Sequence, residues 1–232
     1  MRRIVAGVVG GVVTSVARGA LDQLAPGGQA RWTRTNHRGE PVSMLEGPAV
    51  AAGLLAGLAV GANDARGAAA LTVATGAAAT FGIVDDLAED QTARRKGLKG
   101  HLGALAHGEL TTGGLKVLGI GAGALVAAAL ATPRKEGVGA AGRLVDVGTS
   151  GALIALSANL VNLLDLRPGR ALKAATAVGG VLALARGAGG GAGAAVVGVS
   201  YSALDEDLAE TDMLGDGGAN AIGAALGTAL VL

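Results

Sequence analysis

The chain contains no cysteine, and one phenylalanine, one tryptophan and one tyrosine supply all of its aromatic content. Without thiols it has no disulfide staples, no thiolate metal site and no cysteine nucleophile. Without aromatics it lacks the bulky side chains that usually fill a soluble core in a chain of 232 residues. Charge is scarce as well, at 16% of residues against 50% apolar, with a mean hydropathy of +0.50. That balance excludes disorder, which needs polar, charge-rich sequence. The 42 glycines follow no three-residue period, so a collagen helix is excluded. A net charge of +1 provides no bulk attraction for nucleic acid. No P-loop, dinucleotide fingerprint or serine triad is present.

What is present is Ala, Gly, Val and Leu in stretches free of charge: Ile4–Ala17, Gly47–Ala62, Gly67–Val84, Val117–Pro133, Val147–Leu164, Ala174–Ala185, Gly187–Leu204 and Gly217–Leu232. A span needs ~20 mostly apolar residues to cross ~30 Å of hydrocarbon. Three of the runs reach 18 residues, and others reach useful length when a terminal charge snorkels. Most carry no polar face, unlike an amphipathic surface helix. Small residues four apart, as in Gly7-Val-Val-Gly-Gly11 and Gly53-Leu-Leu-Ala-Gly57, suit helices packing backbone to backbone in lipid. The expected fold is an all-α polytopic membrane protein of about eight short spans, a single transmembrane domain over 1–232. Arg2-Arg3 before Ile4–Ala17 resembles a signal peptide, but no small-x-small cleavage site follows, so it is read as the first retained span. Segment 174–204 is tight for two full spans, so one is expected to be short, tilted or re-entrant.

Eight spans put the loops near 21–46, 85–116, 165–173 and 205–216 on one face. That face holds 11 of the 19 Lys/Arg against seven on the other, with Arg18 inside the first span. The positive-inside rule places those loops in the cytoplasm, although Arg2 and Arg3 oppose it. The same face carries 15 of the 18 acids. Acids carry little topological weight, so gathering them at helix ends points to a metal site or a polar reaction chamber. Solvated loop charge explains Glu89 and Glu136 well. It explains Asp85, Asp86, Asp165 and Asp216 poorly, because each stands at the end of an apolar run.

Phe81-Gly-Ile-Val-Asp85-Asp86 ends the third run, and adjacent carboxylates repel unless a cation or proton relieves them. Arg94, Arg95, Lys96 and Lys99 follow, so acids for a hard cation stand beside bases for phosphate. Asn159-Leu-Val-Asn162-Leu-Leu-Asp165 ends the fifth run, its two asparagines on one helical face. Met213-Leu-Gly215-Asp216-Gly-Gly-Ala-Asn220 opens the last, and Asn36-His-Arg38-Gly39-Glu-Pro lies in the first polar loop. Gly215 and Gly217 beside Asp216 would leave room for a bulky pyrophosphate, with helix capping by Asp216 as the structural alternative.

These four stretches, in this order, resemble the polyprenyl-phosphate N-acetylhexosamine-1-phosphate transferase superfamily, which includes the phospho-MurNAc-pentapeptide translocase and the GlcNAc-1-phosphate transferases of cell-envelope synthesis. The resemblance runs from about Arg34 to the C-terminus. It implies a magnesium-dependent membrane glycosyltransferase that moves a sugar-1-phosphate from a UDP-sugar to a polyprenyl phosphate, with Mn²⁺ as a substitute for Mg²⁺. It implies catalytic roles for Asp85, Asp86 and Asp165 and metal binding by Asp216 with Asp86. Substrate contacts would come from Lys96, Lys99, Asn159, Asn162, Asn36 and Arg38. A bacterial plasma membrane location, cytoplasmic active-site loops, a role in cell wall biogenesis and homodimer formation complete the expectation. The chain departs from the family pattern at Pro168, where a second acid is usual, and it stops short of the relatives' last two spans. Those departures favour the first alternative, a non-catalytic membrane scaffold descended from the family; the second, a small transporter, is allowed by the helix count but lacks the repeat symmetry of common transporters. His101 and His107 read as solvated interfacial residues, Trp32 and Tyr201 as interface anchors, and Gly113-Gly114-Leu-Lys116 as helix packing as readily as a phosphate contact.

Overall fold

The computed structural model describes residues 1–88, 111–134, 136–185 and 187–232. Helix dominates at 79%. Helix α1 spans Arg2–Leu24, a short α2 Gln29–Trp32, α3 Glu46–Gly61, α4 Ala65–Ala88, α5 Thr112–Ala131 and α6 Ala140–Leu164. Helices α7 (Arg170–Leu184), α8 (Ala188–Leu208) and α9 (Gly215–Val231) complete the bundle. Each charge-free run falls on one of the eight long helices. Four of these, α1, α4, α5 and α6, are long and apolar enough to cross a membrane. At ~1.5 Å of rise per residue, the 15 residues of α7 and 17 of α9 fall short of ~30 Å of hydrocarbon. The pair α7 and α8 occupies the segment expected to be tight, with α7 the short member.

Helix α9 is the hub. Fourteen of its 17 residues are buried, and they are mostly Gly and Ala, so α3, α4, α6 and α8 all approach its backbone. A Cβ at Gly227 would lie 2.8 Å from Ile154 Cα on α6, and one at Gly189 on α8 would lie 2.7 Å from Ala229 O. The expected small-residue contacts form on α1, where a Cβ at Gly11 would stand 3.0 Å from Gly198 O on α8. Across the α1–α3 seam, a Cβ at Gly57 would meet Ala6 O at 2.8 Å. Lipid-like surroundings supply no hydrophobic drive between helices, so this close packing carries the association. The outer faces of α1 and α6 are correspondingly apolar and exposed, with Ile4 at 73% and Leu156 at 66%.

The first polar loop is more ordered than a connection between spans requires. Strands β1 (Thr33–Thr35) and β2 (Pro41–Ser43) form an antiparallel hairpin, and Ser43 bridges to Asp212 in parallel. Ser43 N donates to Thr211 O at 2.9 Å and Met213 N to Ser43 O at 2.8 Å, so the hairpin is stitched to the α8–α9 connection. Trp32 is no interface anchor. It is 6% exposed, its Nε1 donates to Pro26 O at 2.8 Å, and it packs in a small core with Met44 and Leu45. Tyr201, at 80% exposure, keeps the outward position expected of it.

Candidate functional site

The acids at three helix ends meet. Asp85 and Asp86 lie in the last turn of α4, Asp165 directly follows α6, and Asp216 is the second residue of α9. Close packing sets this convergence: a Cβ at Gly82 would collide with the backbone of Asp216, so α4 touches the first turn of α9. Gly215 has φ +59°, the left-handed region where a side chain is strained, and a Cβ there would crowd Asp86. Gly217 is pressed against Ile83 in the same way. These two glycines serve the α4–α9 contact rather than leaving the open approach expected around Asp216.

Asp86 accepts hydrogen bonds from Asp216 N and Gly217 N, both at 2.9 Å, one on each carboxylate oxygen. The first amides of a helix lack intrahelical acceptors, so Asp86 caps α9 from another helix. No side chain caps α9 locally, which leaves the Asp216 carboxylate outside the capping role. That carboxylate instead meets Lys116 of α5, whose Nζ lies 2.5 Å from Asp216 Oδ2 and 2.6 Å from Asp85 Oδ2. Two carboxylates from different helices therefore converge on one cation. Asp165 stands close enough to Asp86 and Asp216 to feel their charge. Burial, then the neighbouring carboxylates of Asp207, Asp216 and Asp86, push its carboxyl up to about 8.

Other expected residues stand apart from this centre. Asn36 Oδ1 accepts from Arg38 N and Glu40 N, and its Nδ2 donates to Glu210 Oε2 at 2.8 Å. Arg38 pairs with the same Glu210 oxygen at 3.1 Å. Both thus fasten the hairpin tip to the α8–α9 connection. Asn159 is exposed and Asn162 half-buried on α6. Lys96 and Lys99, with His101 and His107, lie outside the described residues.

Three residues bear on the site without having stood out in the sequence as its members. Lys116 stands just before the run Val117–Pro133, and its partners became visible only in three dimensions. Arg34 donates through Nη2 to the Asp86 carbonyl at 2.5 Å, which docks the hairpin on the end of α4. Asp207 accepts from Gly169 N at 2.5 Å and holds the α6–α7 turn near Asp165.

The donor set suits a magnesium ion in a restricted sense. Mg²⁺ is commonly held by one or two carboxylates, with waters and substrate phosphates completing the shell. Asp216 and Asp85 already converge on a cation, whereas Asp86 has both oxygens committed to amides. Among the described residues no group of three or more His, Asp or Glu is placed to enclose a metal by protein alone. No family model matches the chain, and no curated protein matches it.

Proposed function

We propose that the chain is a membrane phosphoglycosyl transferase, transferring a sugar-1-phosphate from a UDP-sugar to a polyprenyl phosphate. The observation that carries this reading is the meeting of Asp85, Asp86, Asp165 and Asp216, drawn from three separated motifs, at one end of an apolar bundle. A phosphate oxygen of the lipid attacks the β-phosphorus of the UDP-sugar, and the bond from that phosphorus to the bridging oxygen breaks. UMP departs with that oxygen, leaving the sugar on a polyprenyl diphosphate. Asp216 and Asp85 would hold Mg²⁺, which when bound neutralises charge on the reacting phosphates. Asp86 fixes the start of α9 and thereby the position of Asp216. Lys116 supplies a cation for a phosphate oxygen, and Asp165, largely protonated near neutral pH, can donate a hydrogen bond to one. The eight helices would all traverse or enter the bilayer, with this end cytoplasmic, where nucleotide-sugars are made.

A non-catalytic scaffold is the second reading, favoured by Lys116, which already neutralises the two converging carboxylates. Membranes carrying the protein, given radiolabelled UDP-sugars and undecaprenyl phosphate, decide between them. The transferase reading expects labelled lipid diphosphate-sugar and UMP with Mg²⁺ and none with EDTA. It expects a loss of about two orders of magnitude or more in Asp216→Asn, equivalent to roughly 3 kcal/mol of transition-state stabilisation. An inert wild type across the UDP-sugars tested would favour the scaffold.

A further inference from the structure

Glu46, the first residue of α3, is 2% exposed, and among the described residues neither of its carboxylate oxygens has a hydrogen-bond partner. It lines a cavity of about 120 Å³ between α1, α3 and α8, together with Thr14, Arg18, Ser202, Glu206 and Asp212. At ~30 Å³ per water, that space takes about four waters or a partly hydrated ion. Glu206 is exposed, which puts the mouth of the cavity at the end of α8.

The hydrogens in this cavity are already spent. Thr14 Oγ1 donates to Gly10 O at 2.9 Å, Ser202 Oγ donates to Gly11 O at 3.1 Å, and Ser15 Oγ donates to Ser202 Oγ at 2.7 Å. Each hydroxyl has a single hydrogen, so its remaining capacity is lone pairs. Arg18 is the one cationic side chain on the lining, and it is committed. Its Nε and Nη2 bind Asp212 at 2.9 and 2.8 Å, and its Nη1 lies 3.4 Å from Asp22. Besides Arg18, the charged groups near Glu46 include the acids Asp207, Asp212, Asp165 and Glu206. A buried carboxylate in that company needs a compensating positive charge. A proton would supply the charge but leave the acid's carbonyl oxygen without a donor, since the hydroxyl hydrogens are spent, whereas an ion can engage both oxygens.

We propose that this cavity binds a small monovalent cation of the sodium class, with the Glu46 carboxylate as its charged ligand and the Thr14 and Ser202 hydroxyl oxygens as neutral ones. A monovalent ion fits better than a divalent one for two reasons. Among the described residues no three carboxylate or imidazole groups close on one point, and the Arg18 guanidinium borders the same space. The site is separate from the pair held by Lys116, so the transferase reading and this one stand or fall independently.

The test uses the full-length protein in detergent at fixed pH and ionic strength, with choline chloride exchanged for sodium chloride. Retention of ²²Na⁺ should saturate and be displaced by unlabelled Na⁺. The unfolding midpoint should rise by about 5–10 °C when Na⁺ reaches about a hundredfold excess over Kd. Glu46→Gln should abolish both effects, and Ser202→Ala, which removes a single hydroxyl, should weaken retention about tenfold, roughly one lost ligand. Wild type without saturable retention overturns the proposal, as does Glu46→Gln with unchanged affinity. If Glu46→Gln does not fold, unchanged affinity in Ser202→Ala overturns it instead.

Discussion

Replacing Lys116 with methionine keeps most of the aliphatic stem and removes the charge that Asp85 and Asp216 share. Their facing oxygens each lie within 2.6 Å of Nζ, and the three side chains are 15%, 24% and 18% exposed, so water screens them only in part. Two unit charges no more than about 5 Å apart repel by about 3 kcal/mol at an effective dielectric of ~20. Removing one partner of a largely buried ionic group costs a comparable ~3–5 kcal/mol. The unfolding midpoint of Lys116→Met should therefore fall by about 6–12 °C in EDTA. Magnesium gives the variant a second use. If Asp85 and Asp216 can act as metal ligands, millimolar Mg²⁺ should restore most of the loss and leave wild type little changed. The assay is differential scanning fluorimetry of purified protein in detergent, with Lys116→Arg as a charge-retaining control. A variant melting within about 2 °C of wild type in EDTA would refute the energetic role of the ion pair. A large drop that Mg²⁺ does not relieve would keep the pair as structure and remove the metal from the proposed mechanism.

Asp86→Ala should cost ~2–4 kcal/mol, since it strands two buried amides at the start of α9, and Asp86→Asn should cost less because one oxygen still accepts; chemical denaturation ranks them. Gly82→Ala should destabilise and displace Asp216, whereas Gly76→Ala on the same helix meets nothing within 4 Å and should gain up to ~1 kcal/mol from helix propensity; paired melting curves measure the contrast. Asp165 has its folded-state value near 8, above the unfolded value of 3.8, so the folded chain holds that proton more tightly. Metal-free stability should then fall as pH rises from about 4 to about 8 and level off beyond, and Asp165→Asn should flatten that slope in melts across this range. Cysteines at the exposed positions Arg134 and Arg167 should label from opposite sides of the membrane, Arg167 from the cytoplasm; labelling from one side would break the proposed span count between them.

The helices were legible because long runs free of charge and of a polar face favour buried helix, and every charge-free run falls on one. Their ends were less so. Helix α1 continues through Arg18 to Leu24 and α8 through Asp207 to Leu208, because Arg18 and Asp207 find partners in Asp212 and Gly169 N. The Gly7/Gly11 and Gly53/Gly57 pairs announced their contacts, since four-residue spacing puts small residues on one face. The hairpin was hidden because three-residue strands carry too little alternation to register. Trp32 was misassigned because its burial depends on Met44 and Leu45 folding back over it. Asp85, Asp86, Asp165 and Asp216 could be read from their positions at run ends. The roles of Lys116 and Arg34 could not, because their partners lie 100 and 52 residues away in sequence.

That division of roles among the acids follows from how such a bundle is held. An interior of Ala and Gly packs closely but offers little side-chain interlock, so polar ties at the helix ends fix one helix against another. Asp86 is such a tie, engaged with two backbone amides at the start of α9. Substituting it disturbs the fold together with any chemistry, and lost activity there cannot be assigned to a reaction step. Asp216 differs: among the described residues its carboxylate pairs with Lys116, and Lys116 retains Asp85 when Asp216 is neutralised. Asp216→Asn should consequently keep the cap, the α4–α9 contact and one of the two ion pairs. It is the substitution in this centre whose effect on phosphosugar transfer would report on chemistry, because the architecture around it does not depend on its charge.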